Sequence, residues 1–560
     1  NSQLHRHPPS SSISVYRSLQ VLPIIYLRFA DPLRPVRFHP NILSFAVLVA
    51  QRVILLLSPS FDLLDTFISL RAPSTTLPTE FQDLGFCATL TTQMEQLKCH
   101  VKQYAWGKYG EESEVARLFA DGHESFQIDQ KTPYAELWMG THPDGPAQLK
   151  KCSTKLSTYL AKNPSPLTNN NSAKNIHLPF IMKVMSIRTT LSLQVHPTKE
   201  QARRLHEKDP IHYPDRNHKP ELAYALTRFE LLCGFRPARE ILQNLQTFPS
   251  FRLLFGGDTY AKPLEDCIQQ MKDLNSVDQK STEFKDSRKY LEDCFRFMMV
   301  PERNDVHDLI AKLLSELDNG LRGAVEEVTV GVIRKMSVDF PNDIGIFSPL
   351  FLNHMILEPG QCCYYAAEEL HAYLSGECVE CVGCSNNTIR AAMTPKYIDR
   401  DALCSVLNYK MTEQKDYLVP ENKLTECVDM YAPDCKDFQL HRIRVGTHQT
   451  VEEMMIPTLD CASIFVVVSG KGTLEEATID NQLIGQYEVK RGDIFYIPPK
   501  HNIRFSSCSE PLEGYRTFSY EMGPDHDTRL VTPVQNAVPT ITEKMFKLDA
   551  DMEEAITAVV

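Results

Sequence analysis

The chain has 560 residues, of which 42% are hydrophobic and 23% charged, and this composition excludes a fibrous or wholly disordered protein. Its formal net charge of −12 argues against a general nucleic-acid binder, because affinity for a phosphate backbone normally needs a basic face. The 16 cysteines form no compact framework of the kind found in small secreted domains, so we expect reduced thiols. Length alone allows about three to four domains.

The first 93 residues differ in character from the chain after Met94. They mix Pro, Ser and Arg with apolar runs, and the longest run, residues 42–57, is interrupted by a Gln-Arg pair. A helix of that length spans about 24 Å, short of the roughly 30 Å hydrocarbon core of a membrane, so we predict no membrane anchor. We expect a poorly ordered or non-native extension, such as translated upstream sequence before a start at Met94. An organelle-targeting leader is the alternative, favoured by the serines at 10–12 and by Arg17, Arg28, Arg34 and Arg37.

The rest of the chain divides by the period of its apolar residues. Residues 94–237 alternate short apolar runs with turn residues and predict mainly β structure. Residues 238–327 show three- and four-residue spacing and predict a helical domain. Strand character returns at Ile344, so residues 328–436 are predicted to complete the first β domain. Residues 437–560 again alternate strands with glycine turns. The prediction is a mainly β fold with an α-helical insert.

Four side chains able to bind a metal occur in short contexts along this β structure. Gln194 and His196 lie in one predicted strand, whose alternation places both on one face. Glu221 and His371 supply a carboxylate and a second imidazole. Each residue taken singly is more often a hydrogen-bonded core residue than a ligand. Together they leave at least one coordination position for water or substrate, which is typical of a catalytic metal site.

Six short segments are similar to those of a known family and follow its order: residues 103–107, 134–142, 192–197, 213–221, 232–237 and 371–374. They resemble type I phosphomannose isomerases, from about Met94 to the C-terminus. The resemblance implies a zinc-dependent cupin enzyme of the cytosol. It would interconvert mannose 6-phosphate and fructose 6-phosphate and so supply mannose 6-phosphate for GDP-mannose synthesis. The implied ligands of one Zn²⁺ per chain are Gln194, His196, Glu221 and His371.

The fold implied by the resemblance is two cupin-like jelly-roll β domains plus a helical domain. In the second cupin-like domain, residues 437–560, no His-x-His pair precedes His501, so we predict a domain without metal and a structural or surface role for His501. We expect a monomer whose partner is a small sugar phosphate, with neither nucleic acid nor membrane as a partner.

The chemistry of aldose–ketose isomerisation directs the choice of further site residues. A proton moves between C1 and C2, so the site needs a cation or donor at the substrate oxygens and a base near the carbons. Lys219 is two residues from Glu221 and is predicted to share its strand face, where it can bond substrate oxygens or relay a proton. Glu380, nine residues after His371 on a predicted neighbouring strand, is the candidate base, and a salt bridge is its alternative role.

The phosphate of the substrate requires cations, best a guanidinium that grips two oxygens. Arg390 matches the position of the family's active-site arginine. Lys183 and Ser192 flank the first ligand strand and are predicted to contact the phosphate or the sugar. Tyr373, two residues beyond His371, is predicted to face the cavity.

Two local features depart from a simple metal-site pattern. Leu370 stands where the resemblance leads us to expect proline, and a less rigid turn before His371 would weaken metal retention. Cys378, Cys381 and Cys384 have the spacing C-x-x-C-x-x-C, which is also found in iron–sulfur sites. On a strand, residues three apart lie on opposite faces, so we predict no metal role for these cysteines.

Two other functions compete with the isomerase. The first is a cupin-like binding protein without chemistry, against which the complete ligand set and its neighbours Lys219, Glu380 and Arg390 argue. The second is an iron dioxygenase, whose iron site has fewer oxygen ligands and open positions for O₂. An amide ligand at Gln194 and a phosphate-binding arginine fit that site poorly.

Overall fold

The computed structural model describes residues 93–163, 176–271, 282–300 and 303–519. The predicted N-terminal extension lies outside the described residues, except for Gln93. Two ten-stranded antiparallel sheets and a helical region make up the described chain, so the predicted fold class is confirmed. Within these residues no helix combines the length and the apolar character needed to cross a membrane.

The strands and helices are numbered in chain order. The strands are β1 (Glu95–Lys98), β2 (His100–Lys102), β3 (Lys108–Tyr109), β4 (Pro133–Tyr134), β5 (Glu136–Gly140), β6 (Gln148–Leu149), β7 (Phe180–Ile187), β8 (Leu193–Val195), β9 (Glu221–Ala225), β10 (Phe229–Phe235), β11 (Leu352–Leu357), β12 (Cys362–Tyr365), β13 (His371–Gly383), β14 (Ile389–Ala392), β15 (Asn422–Lys423), β16 (Val428–Tyr431), β17 (Gln439–Val445), β18 (Met455–Ile456), β19 (Ser463–Ala477), β20 (Leu483–Lys490), β21 (Ile494–Ile497) and β22 (Asn502–Phe518). The helices are α1 (Glu114–Gly122), α2 (Leu156–Lys162), α3 (Lys199–Lys208), α4 (Ala238–Thr247), α5 (Pro249–Leu254), α6 (Gly257–Gln270), α7 (Thr282–Met298), α8 (Val306–Asp318), α9 (Glu327–Asp339), α10 (Ser348–Phe351) and α11 (Arg400–Val406).

The first sheet is organised around β13, which runs for 13 residues and pairs with β7, β8, β9 and β10. Its path is β11-β10-β13-β7-β5-β2, and β8, β9, β12 and β14 attach beside it. Strands from residue 100 to residue 392 therefore meet in one sheet. This non-local pairing brings the two ends of the predicted ligand set together.

A β-bulge interrupts β13 near its start. Leu231 of β10 pairs with Tyr373, but its neighbour Glu230 pairs with Ser375, so Leu374 is one extra residue on β13. Such a bulge reverses the alternation of side chains. Gly376 follows it with a φ of +110°, a left-handed conformation that favours glycine.

The helical region covers the outer faces of several strands of the first sheet. Helices α4 to α10 pack their apolar residues with Val195, Leu232 and Ile389 in one large core cluster. Helices continue beyond residue 327, where the change of period suggested a boundary, and Ile344 begins a 3₁₀ helix instead of a strand. Helix α9 is rich in β-branched residues, so its sequence resembles a strand while tertiary packing makes it helical.

The second sheet has the order β15-β16-β17-β22-β19-β21-β1-β6, and β18 and β20 pair with β22 and β19. It therefore contains strands from the N-terminal part of the chain, since Glu95 of β1 pairs with Tyr496 of β21. A buried carboxylate strengthens this connection: Glu476 Oε1 accepts from the Met94 amide at 2.7 Å and lies 2.6 Å from His501 Nδ1. The structure thus gives His501 a carboxylate partner inside the second domain.

A candidate metal centre in the first sheet

Three ligand-type side chains meet where β8, β9 and β13 come together. His371 opens β13 and pairs with Gln194 of β8, which places His196 just beyond the end of that strand. Glu221 opens β9. One nitrogen of each histidine and one carboxylate oxygen lie within 4.8 Å of one another, and all three residues are buried. Within the described chain, this is the one group of its kind that the structure contains.

The hydrogen bonds of the two imidazoles fix which nitrogen faces the centre. His196 Nδ1 lies 2.7 Å from the carbonyl oxygen of Asn387, and His371 Nδ1 lies 2.9 Å from that of Glu369. A carbonyl only accepts hydrogen bonds, so each Nδ1 carries a proton, and in a neutral ring the lone pair is then on Nε2. Burial also lowers the pKa of His196 to about 4, which keeps this ring neutral near pH 7.

Both lone pairs face the same carboxylate. His196 Nε2 lies 3.2 Å from Glu221 Oε1, and His371 Nε2 lies 3.4 Å from Glu221 Oε2. Neutral Nε2 atoms carry no proton to share with the carboxylate, and His196 Nε2 is buried without a hydrogen-bond partner in the described residues. A divalent cation would accept all of these lone pairs at once, so the donor set fits a metal ion.

Gln194 lies at the edge of this cluster and is half-buried. Its Nε2 is 3.5 Å from His371 Nε2, and its Oε1 accepts from Ser192 Oγ at 3.3 Å. Rotation of the amide by half a turn exchanges the two atoms and would bring the oxygen toward the histidines. Ser192 is therefore in contact with a predicted ligand, and its contact with the phosphate or the sugar stays a prediction.

Glu221 stays ionised because of its neighbours. Burial opposes ionisation, but the Lys219 ammonium holds the pKa of Glu221 well below its usual value. Lys219 Nζ lies 2.9 Å from Glu221 Oε1, and the Tyr365 hydroxyl donates to Oε2 at 2.8 Å. Tyr365 has one hydroxyl proton, so it accepts from Tyr373, whose side chain is also buried. Tyr373 therefore contacts the metal centre through Tyr365.

A second buried group of charges lies on β7 and β13. Lys183 and Glu380 are cross-strand neighbours, and their charged atoms are 2.7 Å apart. Glu136 Oε2 is 3.8 Å from the same ammonium. Burial by itself would lower the pKa of Lys183, but Glu136 and Glu380 outweigh burial and raise it. Burial raises the pKa of Glu380, and Lys183 opposes this only in part.

The position of Glu380 corrects one expectation. Glu380 lies on the same strand as His371, not on a neighbouring one, and simple alternation would put residues nine apart on opposite faces. The bulge at Leu374 adds one residue and restores a common face. Tyr373 before the bulge and Cys378 after it accordingly share one core cluster. Cys381 belongs to a different cluster, so the cysteines of the C-x-x-C pair face opposite sides, as predicted.

Two cations without a carboxylate partner lie beside the centre. Arg390 of β14 pairs with Gln194 of β8, and burial alone lowers the pKa of its half-buried guanidinium. Lys396 is exposed to solvent, and partial desolvation and then Arg390 lower its pKa, so the two side chains are electrostatic neighbours. Neither cation forms a side-chain hydrogen bond or ion pair within the described ranges. Two such cations suit an anionic ligand.

Comparison with known proteins agrees with this geometry. Residues 94–238 match the family model "Phosphomannose isomerase type I, catalytic domain", and residues 265–352 match its "helical insertion domain". Mannose-6-phosphate isomerase of Bos taurus is 38% identical over 415 residues, which are 73% of this chain and 94% of that protein. That of Homo sapiens is 37% identical over 425 residues, 74% of this chain and 96% of that one.

The chain belongs to the type I phosphomannose isomerase family.

Solved structures of similar proteins show that the fold is shared as well. A mannose 6-phosphate isomerase bound with zinc and yttrium has a TM-score of 0.60 and 25% identity, and the match covers 76% of this chain and 100% of that one. A point variant of the phosphomannose isomerase from Salmonella typhimurium gives the same TM-score and identity over 99% of its chain. The family relationship thus spans both sheets and the helical region.

The sequence analysis named most of the side chains that lie together in and beside this cluster, but it did not name three of their neighbours. The structure brings together Gln194, His196, Glu221, His371, Lys219 and, through Tyr365, Tyr373. Lys183 and Glu380 form their own ion pair nearby. Tyr365, Glu136 and Lys396 were missed. For Lys396 a signal existed, namely a second cation six residues after Arg390, and Glu136 lies in the family-like segment 134–142. Nothing in the local sequence marks Tyr365.

Proposed function

We propose that the His196, Glu221 and His371 cluster is the centre at which this chain interconverts mannose 6-phosphate and fructose 6-phosphate. The chain is an aldose–ketose isomerase by its family, and its relatives carry that activity in their names. The observation that supports the centre most strongly is the pair of imidazole Nε2 atoms that face one buried carboxylate. Family membership also disfavours the storage-protein and dioxygenase alternatives.

We further propose one Zn²⁺ per chain, held by His196, Glu221, His371 and the Gln194 amide oxygen. Nitrogen and oxygen donors without thiolate suit zinc, and other divalent ions of similar preference can replace it. Zinc when bound supplies a Lewis acid for the substrate hydroxyl and carbonyl oxygens at C1 and C2. The carbonyl partners at each Nδ1 hold the rings in the tautomer that this site requires.

The phosphate end of the substrate is proposed to bind Arg390 and Lys396. Both side chains lack a carboxylate partner among the described residues, so a dianionic phosphate would not have to displace an existing ion pair. A guanidinium can bond two phosphate oxygens at once. Because Arg390 pairs with Gln194 across β8 and β14, the phosphate site and the metal centre are adjacent on the sheet.

Proton transfer is assigned to the two lysine–glutamate pairs. Glu380 is the proposed base, which takes the C2 proton of mannose 6-phosphate and returns it to C1. Its raised pKa suits a group that must both accept and release a proton. Lys183 holds this carboxylate in place. Lys219, 2.9 Å from Glu221, is proposed to donate a hydrogen bond to the substrate oxygens and to carry the proton that moves between O1 and O2.

Isotope exchange during a coupled assay tests this assignment. The purified chain in deuterated water should convert mannose 6-phosphate to fructose 6-phosphate and place deuterium at C1 of part of the product. Glu380→Gln should lose both isomerisation and exchange while keeping its zinc. A Glu380→Gln variant that still exchanges deuterium at the wild-type rate would exclude Glu380 as the base and move that role to Lys219.

The cellular setting is likewise a proposal. All 15 cysteines in the described part of the chain are free thiols, which agrees with a reducing compartment such as the cytosol. We propose that the protein acts there as a monomer and supplies mannose 6-phosphate for GDP-mannose synthesis. Light scattering of the purified chain should give the mass of one 63.8 kDa chain, and the mass of a dimer would contradict the monomer.

A further inference from the structure

The turn that precedes the His371 ligand is held in an unusual conformation. Glu368 has a φ of +73°, in the left-handed region that a glutamate rarely adopts. Its amide donates to the carbonyl oxygen of His196 at 2.9 Å, and its carboxylate accepts from Gln201 Nε2 at 2.8 Å. The turn is therefore attached directly to the segment that carries the other histidine ligand.

The next residue, Glu369, contacts the His371 ring through its backbone and is anchored through its side chain. Its carbonyl oxygen accepts from His371 Nδ1 at 2.9 Å. Its carboxylate accepts from Asn408 Nδ2 at 2.7 Å and from the Tyr417 hydroxyl at 3.0 Å. Two hydrogen bonds to one carboxylate fix the rotation of the residue, and hence the direction of its carbonyl group.

A glycine makes this anchor possible. Gly234 of β10 has a φ of +64°, and a Cβ at this position would lie 1.8 Å from the Tyr417 hydroxyl oxygen. Its amide also donates to the carbonyl oxygen of Leu370 at 2.8 Å. Leu370 itself is fully buried in the core of the helical region. The backbone, the two carboxylates and the apolar side chain of the turn before His371 are thus all held by contacts with other segments.

We infer that Glu369 is a positioning residue for the metal centre, acting through the His371 imidazole. Its anchored carbonyl group keeps the Nδ1 proton in place and directs the Nε2 lone pair at Glu221. Hydrogen bonds thereby supply the rigidity that the proline expected at position 370 would have supplied. This inference rests on the proposed function only in taking the cluster to bind zinc.

Zinc affinity, measured by competition with a chromogenic chelator, tests the inference without any assay of turnover. Glu369→Ala removes both anchors and should weaken zinc binding about 10- to 100-fold, the usual effect of losing a group that orients a ligand. Glu369→Gln keeps an acceptor and a group that can bond Tyr417, so its loss should be clearly smaller. In the isomerase assay Glu369→Ala should recover as zinc is added in excess.

A matched control separates positioning from general stability. Glu316 of the helical region is also a buried glutamate whose two oxygens bond another segment, through the amide and hydroxyl of Ser250. Glu316→Ala should lower the melting temperature of the metal-free protein but leave the zinc affinity unchanged. Should Glu369→Ala fail to fold, Tyr417→Phe removes one anchor alone and should weaken zinc binding in the same direction by a smaller factor.

The possible results are distinguishable. Equal zinc affinity of wild type, Glu369→Ala and Tyr417→Phe would overturn the inference while leaving the proposed metal centre intact. An equal loss of affinity in Glu369→Ala and Glu316→Ala would also overturn it, because the effect would then be general destabilisation. A wild-type chain that binds no zinc would contradict the proposed metal centre itself, and the inference with it.

Discussion

The two ten-stranded sheets have similar architecture and both bury ionisable side chains, but they group them differently. In the second sheet, fully buried Glu476 contacts His501, and fully buried Arg516 donates to Ser463. The first encloses ionisable side chains that are each at most 6% exposed, among them Glu136, Lys183, Glu221 and Glu380. The second sheet surrounds a cluster of aliphatic, aromatic and sulfur-containing residues, in which Phe465 is typical. Burial of charge costs free energy, whereas burial of apolar area stabilises the fold. Because the candidate metal centre lies in the first sheet, we expect that sheet to carry the chemistry and the second to contribute mainly to stability.

Removal of a proposed metal ligand should produce the largest difference in activity between a variant of the first sheet and a matched variant of the second. We expect His371→Ala to lose zinc and to reduce kcat/KM by about 1000-fold, since a metal ion supplies several kcal/mol of charge stabilisation. The matched variant His441→Ala alters a buried histidine of the second sheet and should retain both zinc and activity. Metal analysis and the coupled assay measure both, and equal losses in the two variants would contradict a functional division.

Neutralising the candidate base should separate activity from stability. Glu380→Gln is expected to reduce kcat by about 100- to 10,000-fold, the range for loss of a general base. It also weakens the pairing of buried Lys183, which should cost about 3–5 kcal/mol in urea unfolding.

The double variant Lys183→Met with Glu380→Gln tests this separation. It should regain part of the stability without regaining activity, because no unpaired ammonium remains beside the changed carboxylate but buried Glu136 loses its cation. If activity returned together with stability, the Lys183–Glu380 pair would have a structural role alone.

Changing the phosphate-binding cation should have an intermediate effect. Arg390→Lys keeps the charge but loses the two-oxygen contact, so we expect KM for mannose 6-phosphate to rise about 10-fold, the equivalent of a charge-assisted hydrogen bond. Arg444→Lys, at an exposed site of the second sheet, serves as the control and should leave KM unchanged. A fall in kcat without a change in KM would place Arg390 at the reacting carbons instead of the phosphate.

The smallest effect concerns acid stability of the second sheet. Burial and then Arg516 lower the pKa of His441 from 6.5 to about 3. Between these two pKa values the unfolded chain binds a proton at His441 that the folded chain does not bind. The contribution of neutral His441 to the free energy of unfolding is therefore complete above pH 6.5 and is lost as the pH falls toward 3. His441→Gln should flatten the fall in melting temperature between about pH 6.5 and 4, and a slope equal to wild type would contradict this contribution.

Local patterns in the sequence predicted the fold class and named the side chains that meet at the candidate centre, because strand alternation and turn residues are local signals. The face of the sheet on which Glu380 lies could not be predicted from local signals, because it depends on one extra residue, Leu374, in a long strand. The pairing of β1 with β21 joins residues about four hundred positions apart, and no local period encodes that register. Tyr365 was missed for the same reason, because only the pairing of β12 with β9 brings it to Glu221.

Activity of the purified full chain during removal and return of zinc tests the central claim most directly. Chelation should abolish the conversion of mannose 6-phosphate to fructose 6-phosphate, and one equivalent of Zn²⁺ per chain should restore it. The His371→Ala variant should stay inactive at the same zinc concentration. Full activity of a chain shown to be free of metal would contradict the account.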